Sequence, residues 1–471
     1  MSGWDVVIVG AGVNGLTAAA RIATTGRRVL VLERADSVGG NARTKQLLVE
    51  GVVHDLGAAV LPFAVASPAF ASLDLPLTWA HPDVALAHPL DGGRVGALVR
   101  DLDETAESLG ADKRAYQRLV RPFVTRFADL AADVLAPQVK IPSHPLLMAR
   151  FGAVAGRPAT WVTRRFNSDE GKALLTGVAA HATVAPTHPL TAGVGLTLIA
   201  AAHAVGWPVA VGGTQAVPEA LADLVRSAGG EIELGVEVHS LDALPAANAI
   251  MLDLTPRQLV TIAPSAANAY GRWRYGPGAC KVDYVLSGPV PWTADACRRS
   301  ATVHVGGTAA EIVAAEQEVA AGRMPERPFV LVAQPHVADA TRVHNGQIPL
   351  WTYCHVPNGS DLDASAQVER QIDRFAPGWR DLIVAKRVLT ARDSEATNPN
   401  LVGGDIAGGL MSMRQMLLGP RPGRSPYRTN LAGVYLCSSS CPPGAGIHGM
   451  AGWHAAAAVL DDLADSSTGS L

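Results

Sequence analysis

The chain has 471 residues, of which 48% are apolar, 17% are charged and 5% are aromatic. Its 39 basic and 42 acidic residues give a formal net charge of −3, which argues against a nucleic-acid partner held by a broad basic surface. Five cysteines do not predict a disulfide framework, and the N-terminus lacks the basic segment of a secretion signal. We therefore expect a large cytoplasmic protein of two or three domains.

The first 35 residues have the pattern of a dinucleotide-binding unit. The run from Asp5 to Val9 predicts a buried parallel strand, and Leu16 to Ala23 predicts a helix of small residues. Three glycines in GxGxxG spacing lie between the two elements: Gly10, Gly12 and Gly15. In that motif they allow a tight turn, close approach of a pyrophosphate, and close packing of helix on strand. A second strand ends at Glu33, where a carboxylate can accept hydrogen bonds from ribose hydroxyls.

The segment after Glu33 favours FAD over NAD. Arg34 follows Glu33 directly. A glycine pair, Gly39 and Gly40, and a second arginine, Arg43, come next. This pattern resembles the Gly-Gly-x-x-Arg extension of FAD-dependent oxidoreductases of the glutathione reductase and amine oxidase group. The turn from His54 to Gly57 resembles the Asp-x-Gly turn of the same group, which lies near the flavin ring. The resemblance implies FAD as the cofactor, with the four residues beside its pyrophosphate and ribitol.

The C-terminal segment resembles another part of the same site. A predicted strand, 430–437, leads to a serine-rich turn, to a second GxGxxG spacing at 444–449, and to a helix that begins at Met450. Since no second strand with a ribose-binding acid follows, we expect this motif to serve the same FAD. It resembles the C-terminal flavin segment of the phytoene desaturase-like family, which includes carotenoid desaturases and isomerases. That resemblance implies flavin contacts from Ser439, Gly446, Ile447 and His448. Many relatives place Gly-Asp where this chain has Ser438 and Ser439, so the role of that aspartate is not transferred.

The resemblance also covers the middle of the chain. A family strand near 229–238 carries apolar residues against the adenine, which implies contacts from Val236 and Val238. We therefore predict an α/β fold with a Rossmann-type FAD-binding domain assembled from three chain segments, 1–65, 205–265 and 425–471. A mixed sheet and a helical substrate domain are expected from 66–204 and 266–424. The first of these two ranges is mostly helix-like, and the second contains strand-like runs at 281–286, 302–305, 329–333 and 350–356.

Two histidines are the candidates for direct chemistry. His448 lies in the C-terminal loop expected to face the flavin, and His54 adjoins the Asp-x-Gly turn; either could act as a base or orient a substrate. Packing and loop hydrogen bonds are the alternative role for both. The histidines and cysteines do not have the spacing of a zinc site, so no metal is predicted.

The family resemblance implies an FAD-dependent dehydrogenase or desaturase. Such an enzyme moves hydride from an apolar, isoprenoid or lipid-like substrate to flavin N5. Since no second nucleotide-binding unit for NAD(P)H is seen, oxygen or a quinone is the expected electron acceptor. Three alternatives remain open: an amine or amino-acid oxidase on the same scaffold, a redox-neutral isomerase, and a non-catalytic flavin-binding scaffold. The sequence also leaves open the oligomeric state and a peripheral contact with a membrane.

Overall fold

Two β-sheets, of five and seven strands, organise the computed structural model, which describes residues 3–137, 141–422 and 425–468. In chain order the strands are β1 (Trp4–Val9), β2 (Val29–Glu33), β3 (Thr44–Gln46), β4 (Val53–Asp55), β5 (Trp79–Ala80), β6 (Leu86–Pro89), β7 (Val95–Leu98), β8 (Val209–Ala210), β9 (Glu231–Leu234), β10 (Ala247–Leu252), β11 (Gly278–Leu286), β12 (Thr302–Val305), β13 (Val330–Ala333), β14 (Ile348–Val356), β15 (Ile383–Leu389) and β16 (Val434–Leu436).

The α-helices lie mainly between the strands and in one continuous helical region. In chain order they are α1 (Val13–Ala23), α2 (Pro62–Val65), α3 (Pro68–Leu73), α4 (Leu102–Ser108), α5 (Lys113–Val124), α6 (Phe127–Val134), α7 (Pro145–Ala155), α8 (Ala159–Val162), α9 (Asp169–Ala179), α10 (Thr191–Ala204), α11 (Ala216–Ser227), α12 (Pro256–Ile262), α13 (Ala267–Tyr270), α14 (Asp295–Arg298), α15 (Ala309–Ala320), α16 (Ser365–Phe375), α17 (Ala391–Thr397), α18 (Met413–Leu418) and α19 (Met450–Thr468).

The five-stranded sheet is parallel, with the strand order β16-β10-β1-β2-β9. Its central strand β1 is a β-branched run whose residues Val6, Val7 and Ile8 are completely buried, as expected for a parallel strand covered on both faces. Helix α1 follows β1 and packs against α11 and α19. The carboxyl ends of these strands meet at one edge, where a doubly wound sheet binds its ligand.

The seven-stranded sheet is mixed, with the order β15-β11-β14-β13-β12-β6-β7. Its pairs are antiparallel except for β12 with β6. Strand β11 is buried along its whole length, with β14 along one side and β15 beside residues 281–286 on the other. The pairing of β11 with β14 holds in place the side chains of both strands that line the cavity described below.

The range 66–204 is more varied than its helix-like pattern predicted. Helices α3 to α10 fall in it, but so do the short strands β5, β6 and β7. Strands β6 and β7 form a hairpin around Asp91–Gly93, where Gly92 and Gly93 both adopt positive φ. Helix α10 is mostly buried, and no described helix is long and apolar enough to cross a membrane.

Candidate active site

A single cavity of about 720 Å³ runs from the edge of the parallel sheet to the mixed sheet. We call the part bounded by the glycine-rich segments the cofactor end; its lining includes Gly10, Gly12, Glu33, Gly40, Arg43, Val236 and Val238. We call the opposite part the substrate end; its lining includes Phe151, Leu198, Trp207, Lys281, Trp351 and Tyr353. The two ends belong to one continuous space, so a molecule held at one end can meet a molecule held at the other.

The glycines of the first motif occupy positions at which a Cβ atom would meet neighbouring atoms of the chain. Gly12 lines the cavity, and a Cβ atom placed on it would overlap the Asp253 carboxylate. Gly15 lies behind the cavity, where a Cβ atom would overlap the Gly10 carbonyl oxygen. Gly39 packs alongside this turn, and its amide donates to the Ala11 carbonyl at 2.8 Å. The turn therefore leaves a space at the helix start that side chains would fill.

The N-terminus of α1 offers polar groups to that space. Among the described residues, the backbone amide of Asn14 has no hydrogen-bond partner. The side-chain oxygen of Asn14, a residue that lines the cavity, is buried and also has no partner. Free amides at a helix N-terminus suit an anionic phosphate. The free backbone amide fits the pyrophosphate of a dinucleotide, whereas the Asn14 side-chain oxygen is an acceptor and needs a donor.

Glu33 lies at the end of β2, at the far side of the same cleft. Its carboxylate accepts hydrogen bonds from the Ala11 amide at 2.7 Å and the Ala35 amide at 2.8 Å. A carboxylate has about four acceptor positions, so two amides leave capacity for ribose hydroxyls. Val236 is fixed beside it, because its amide donates to the Glu33 carbonyl at 2.9 Å. Val236 and Val238 both line the cofactor end, where apolar side chains can cover an adenine.

The two arginines after Glu33 also border the cofactor end, but their guanidinium groups bind backbone carbonyls. Arg43 donates from Nε to the Gly40 carbonyl at 2.9 Å. Arg34 donates from Nη2 to the Thr397 carbonyl at 2.8 Å. We therefore assign to both arginines a part in holding the walls of the cleft.

The segment around Thr397 is a part of the cofactor end that the sequence did not indicate. Asn398 donates from Nδ2 to the side-chain oxygen of Asn41 at 3.1 Å. Asn400 accepts from the Thr255 amide at 2.8 Å. These residues lie within 266–424, the range assigned to the substrate domain. The segment is irregular and polar and has no motif, so only its tertiary contacts show its place.

Asp253 is a second residue of this end that sequence reasoning missed. It follows β10 directly, and its Oδ2 accepts from the Gly15 amide at 3.0 Å. Burial, opposed by that amide, raises the pKa of its carboxyl to about 7. Its position just past a parallel strand, at the ligand-binding edge, was a signal in the sequence. A neutral Asp253 beside the α1 N-terminus is compatible with a nearby phosphate, whereas an ionised one repels it.

The C-terminal loop reaches the cavity as predicted from its glycines. Ser439, Gly446, Ile447 and His448 all line it, immediately before α19 begins. The neighbouring Ser440 donates from its hydroxyl to the Gly408 carbonyl at 2.6 Å. The loop is therefore fixed by contacts to the preceding chain, while Ser439 and the glycines border the space.

His448 is in the cavity wall, but its hydrogen bonds do not suit a base. Its Nδ1 accepts from the Met450 amide at 3.1 Å, so the neutral ring carries its proton on Nε2. Burial lowers its pKa to about 4. His448 is thus a neutral donor at neutral pH and holds the start of α19.

His54 does not line the cavity, so the structure does not support its prediction as a catalytic residue. It is buried beside β11, and its Nε2 lies 3.2 Å from the Tyr284 carbonyl oxygen. Strand β4, which carries it, pairs with β3 in a short hairpin that turns the ring toward β11. Gly57, three residues further along the chain, lines the cavity. His54 does not, because side chains alternate between the two faces of β4 and its side chain lies on the face toward β11.

Lys281 is the charged side chain of the substrate end. It is buried on β11 in an ion pair with Asp283, and its Nζ lies 5.7 Å from the centre of the Trp351 ring. Burial lowers its pKa, while the Asp283 charge opposes this change. The carboxylates among the described residues lining the cavity are Glu33, Glu237 and Asp253, all at the cofactor end. The substrate end therefore has one cation and no carboxylate of its own in the lining.

Cysteine redox chemistry and metal binding find no support in the described part of the chain. All five cysteines are free and buried, including Cys437 and Cys441 next to the C-terminal loop. Burial raises the pKa of both thiols, which disfavours the reactive thiolate. No group of three or more metal-ligating side chains occurs among the described residues.

Comparison with known proteins identifies the first motif and the fold. A family described as an NAD(P)-binding Rossmann-like domain matches residues 8–73. The mouse pyridine nucleotide-disulfide oxidoreductase domain-containing protein 2 is 26% identical, covering 98% of this chain and 94% of the relative. The 4,4'-diapophytoene desaturase of Staphylococcus aureus is 45% identical over 56 residues, 12% of this chain and 11% of the relative.

A putrescine oxidase variant has the same fold. It superposes with a TM-score of 0.62 at 17% identity, covering 98% of this chain and 99% of the other. The α/β fold prediction is thus confirmed, and so is the prediction of FAD as cofactor. The chain is thus similar to FAD-dependent oxidoreductases of the amine oxidase and desaturase type. The specific similarity to phytoene desaturases rests on the 56-residue match to the Staphylococcus aureus enzyme.

Proposed function

We propose that this protein is an FAD-dependent dehydrogenase or desaturase of an apolar, lipid-like substrate, acting in the cytoplasm with oxygen or a quinone as electron acceptor. The observation that carries the proposal is the apolar substrate end, which opens directly onto the cofactor end. Its wall includes aliphatic and aromatic side chains from α6, α7 and α10 and from residues that adjoin these helices: Val134, Leu135, Met148, Phe151, Leu190, Val194 and Leu198. Such a lining binds hydrocarbon by removing it from water.

The residues proposed to hold FAD are those of the cofactor end. When bound, FAD supplies hydride acceptance at its N5 atom. The α1 N-terminus and the glycine turn would hold the pyrophosphate, Glu33 the ribose, and the two valines the adenine. The loop from Ser439 to His448 would border the flavin. The apolar walls of the substrate end exclude water from the reacting carbon, which protects a charged intermediate.

The charge of the substrate end favours this reading over an amine oxidase. A protonated amine entering there would find no lining carboxylate at that end among the described residues, and the nearby Asp283 carboxylate is already paired with Lys281. The Trp351 ring, an aromatic surface that could bind a cation, already has the Lys281 ammonium near it. The amine-oxidase alternative draws its support from the fold similarity to the putrescine oxidase.

Anaerobic flavin reduction tests the proposal. The purified protein is expected to be yellow, and polyenes or fatty acyl compounds should bleach its flavin absorbance while amines and NADPH should not. Bleaching by amines, with hydrogen peroxide released in air, would contradict the proposal and establish the oxidase alternative.

The two remaining alternatives give other results in the same assay. An isomerase would convert its substrate only with reduced flavin and without net consumption of reductant. A scaffold would bind FAD but turn over no member of the panel. Either result would also contradict a dehydrogenase or desaturase.

A further inference from the structure

A row of three histidines leads from the substrate end of the cavity into the mixed sheet. His181 lines the cavity in the short turn that follows α9, and its ring centre lies 6.0 Å from that of Trp207. Its Nε2 lies 3.0 Å from Nε2 of His304 on β12. The His304 ring is in edge contact with the ring of His88 on β6, with 6.5 Å between the ring centres. We call His181, His304 and His88 the histidine row.

The hydrogen bonds of the row determine which nitrogen of each ring carries the proton. His88 donates from Nε2 to the Gly307 carbonyl at 2.7 Å, so Nδ1 of its neutral ring is an acceptor. The Nδ1 atoms of His88 and His304 are both buried without a partner among the described residues. They lie 2.8 and 3.1 Å from the same point, the position that a Cβ atom on Gly177 would take. Since two lone pairs that converge on one buried point repel each other, we expect His304 to carry its proton on Nδ1.

This arrangement leaves an acceptor at the cavity. His304 then accepts at Nε2, so His181 donates from its own Nε2 and has its lone pair on Nδ1. Within the described part of the chain, no group donates to that Nδ1. Burial lowers the pKa of His88 and of His181 to about 4, and it lowers the pKa of His304 well below the usual value. The row is therefore neutral near pH 7, and His181 presents an uncharged acceptor.

Thr183 is a second polar group in the same part of the wall. It comes two residues after His181, lines the cavity, and has a hydroxyl that is buried without a partner among the described residues. Its φ is 54°, a left-handed conformation that β-branched residues rarely adopt. Both the backbone strain and the unpaired hydroxyl cost free energy, and such features mark positions that a function retains.

We propose that His181 and Thr183 anchor a hydroxyl group of the apolar substrate. The substrate hydroxyl would donate to His181 Nδ1 and accept from the Thr183 hydroxyl. This inference rests on the proposed function, because it takes the substrate end as the place where an apolar molecule binds. It narrows the substrate class from lipid-like molecules in general to lipid-like alcohols.

Other polar groups suit these two side chains less well. An ether, a ketone or a carboxylate has no hydrogen to donate to His181. An ammonium group only donates, so it leaves the Thr183 hydroxyl without a donation to make, and no described carboxylate lines this end to balance its charge. A hydroxyl both donates and accepts, and it adds no charge to an apolar cavity.

Binding of an isoprenoid alcohol and of its methyl ether tests the anchor. Calorimetry is done on the FAD-loaded protein after anaerobic reduction, so that no oxidation of the ligand occurs. Citronellol should bind about tenfold more tightly than citronellyl methyl ether, since the ether leaves the acceptor of His181 unpaired. Protonated citronellylamine should bind no better than the ether. Equal affinities for alcohol and ether, or no binding of the alcohol, would overturn the proposal.

Matched variants separate the anchor from a structural role. His181→Phe removes the acceptor and should abolish the preference for the alcohol over the ether. Thr183→Val removes only a hydroxyl and should weaken alcohol binding about fivefold without changing ether binding. Thr176→Val is the control, because the Thr176 hydroxyl is on α9, outside the described cavity lining, and donates to the Lys172 carbonyl at 2.8 Å. A wild-type preference in Thr183→Val, or its loss in the control, would overturn the assignment of the anchor.

Nitrogen NMR of the histidine rings tests the row without any ligand. In the FAD-loaded protein, isotope-labelled in its histidines, the ring proton should be on Nε2 in His181 and His88 and on Nδ1 in His304. The His181 signals are assigned by their absence from the spectrum of His181→Phe. A proton on Nδ1 of His181 would make this ring a donor to the cavity and would overturn the proposal even if the alcohol binds.

The anchor and the proposed function can fail separately. Preference for the alcohol in a protein whose flavin no apolar compound reduces would contradict the proposed function and support the anchor. Flavin reduction by apolar compounds, together with equal binding of alcohol and ether, would support the function and overturn the anchor.

Discussion

At the cofactor end the cavity wall consists largely of glycines and backbone amides, whereas at the substrate end it consists of side chains from distant helices and strands. Gly12 and Gly40 at the first end come from neighbouring stretches of sequence. Phe151, Leu198 and Trp351 at the second end come from α7, α10 and β14. The cofactor end therefore depends on backbone positions that tolerate one residue type, while the substrate end depends on total volume and polarity. Substitutions should have correspondingly different effects at the two ends.

At the cofactor end, the largest expected effect on FAD affinity is at the glycine turn. In Gly15→Ala the new Cβ would overlap the Gly10 carbonyl oxygen, so β1 and α1 would have to separate. Because overpacking of this kind costs about 1–3 kcal/mol, we expect FAD affinity to fall up to ~100-fold, measured by flavin fluorescence titration. Gly288→Ala is the control, since nothing lies within 4 Å of its Cβ position. Equal FAD affinity in the two variants would contradict this account of the cofactor end.

At the substrate end the largest expected effect concerns the Lys281–Asp283 pair. Lys281→Met leaves the buried Asp283 carboxylate without its partner, which costs about 3–5 kcal/mol of unfolding free energy. Chemical denaturation of the wild type, Lys281→Met and the double variant Lys281→Met/Asp283→Leu measures this cost. The double variant should be more stable than the single one, because no buried charge remains. A double variant less stable than Lys281→Met would show that the carboxylate has another role.

These two ends also differ in how far the sequence predicts them. The glycine motifs predicted Gly10, Gly12, Gly39 and Gly446 at the cavity because backbone conformation at a tight turn restricts the residue type. Asp253 was missed because its role depends on a contact with Gly15, 238 residues away in the chain. The apolar residues of the substrate end have the same helical spacing as any buried helix. Their sequence predicts burial but not a cavity.

The strands show the same limit of local information. The predicted run 281–286 became β11, which begins three residues earlier at Gly278, since pairing with β14 extends it over small residues. The predicted strand 430–437 became the shorter β16, because Gly433 adopts positive φ in a turn between Leu431 and Val434. The β6–β7 hairpin was missed although Asp91–Gly93 is a turn signal. Its two strands have only four residues each.

Asp253 gives a smaller effect, and one that depends on pH. Burial raises the pKa of its carboxyl to about 7, so the group becomes ionised as the pH rises from 6 to 8. A carboxylate beside the α1 N-terminus repels the pyrophosphate proposed to bind there, and FAD affinity should fall about tenfold over this range. In Asp253→Asn the affinity should be independent of pH. The contribution of Asp253 to the stability of the protein without FAD, measured as the difference between the wild type and Asp253→Asn, should be highest below the ordinary carboxyl pKa and should be lost as the pH rises through 7. An FAD affinity that is constant with pH in the wild type would contradict the assignment of Asp253 to the phosphate site.

The smallest effect is expected from His448, the histidine at the boundary of the two ends. Its Nδ1 is occupied by the Met450 amide, and burial lowers its pKa to about 4, so it stays neutral and does not accept a proton near pH 7. His448→Gln can preserve a hydrogen bond to the loop, and the rate of flavin reduction should fall less than about threefold, since general-base catalysis would contribute ~100-fold or more. The rate of flavin reduction should have the same pH dependence between pH 5.5 and 7.5 in the wild type and in His448→Gln.

The stability of the two proteins should differ in acid. Since the pKa of His448 in the folded protein is lower than the ordinary value of 6.5, acid below that value should destabilise the wild type progressively and the variant less. A loss of rate near 100-fold, together with the disappearance of an inflection, would instead make His448 the base and would extend the chemistry of the cavity to the C-terminal loop.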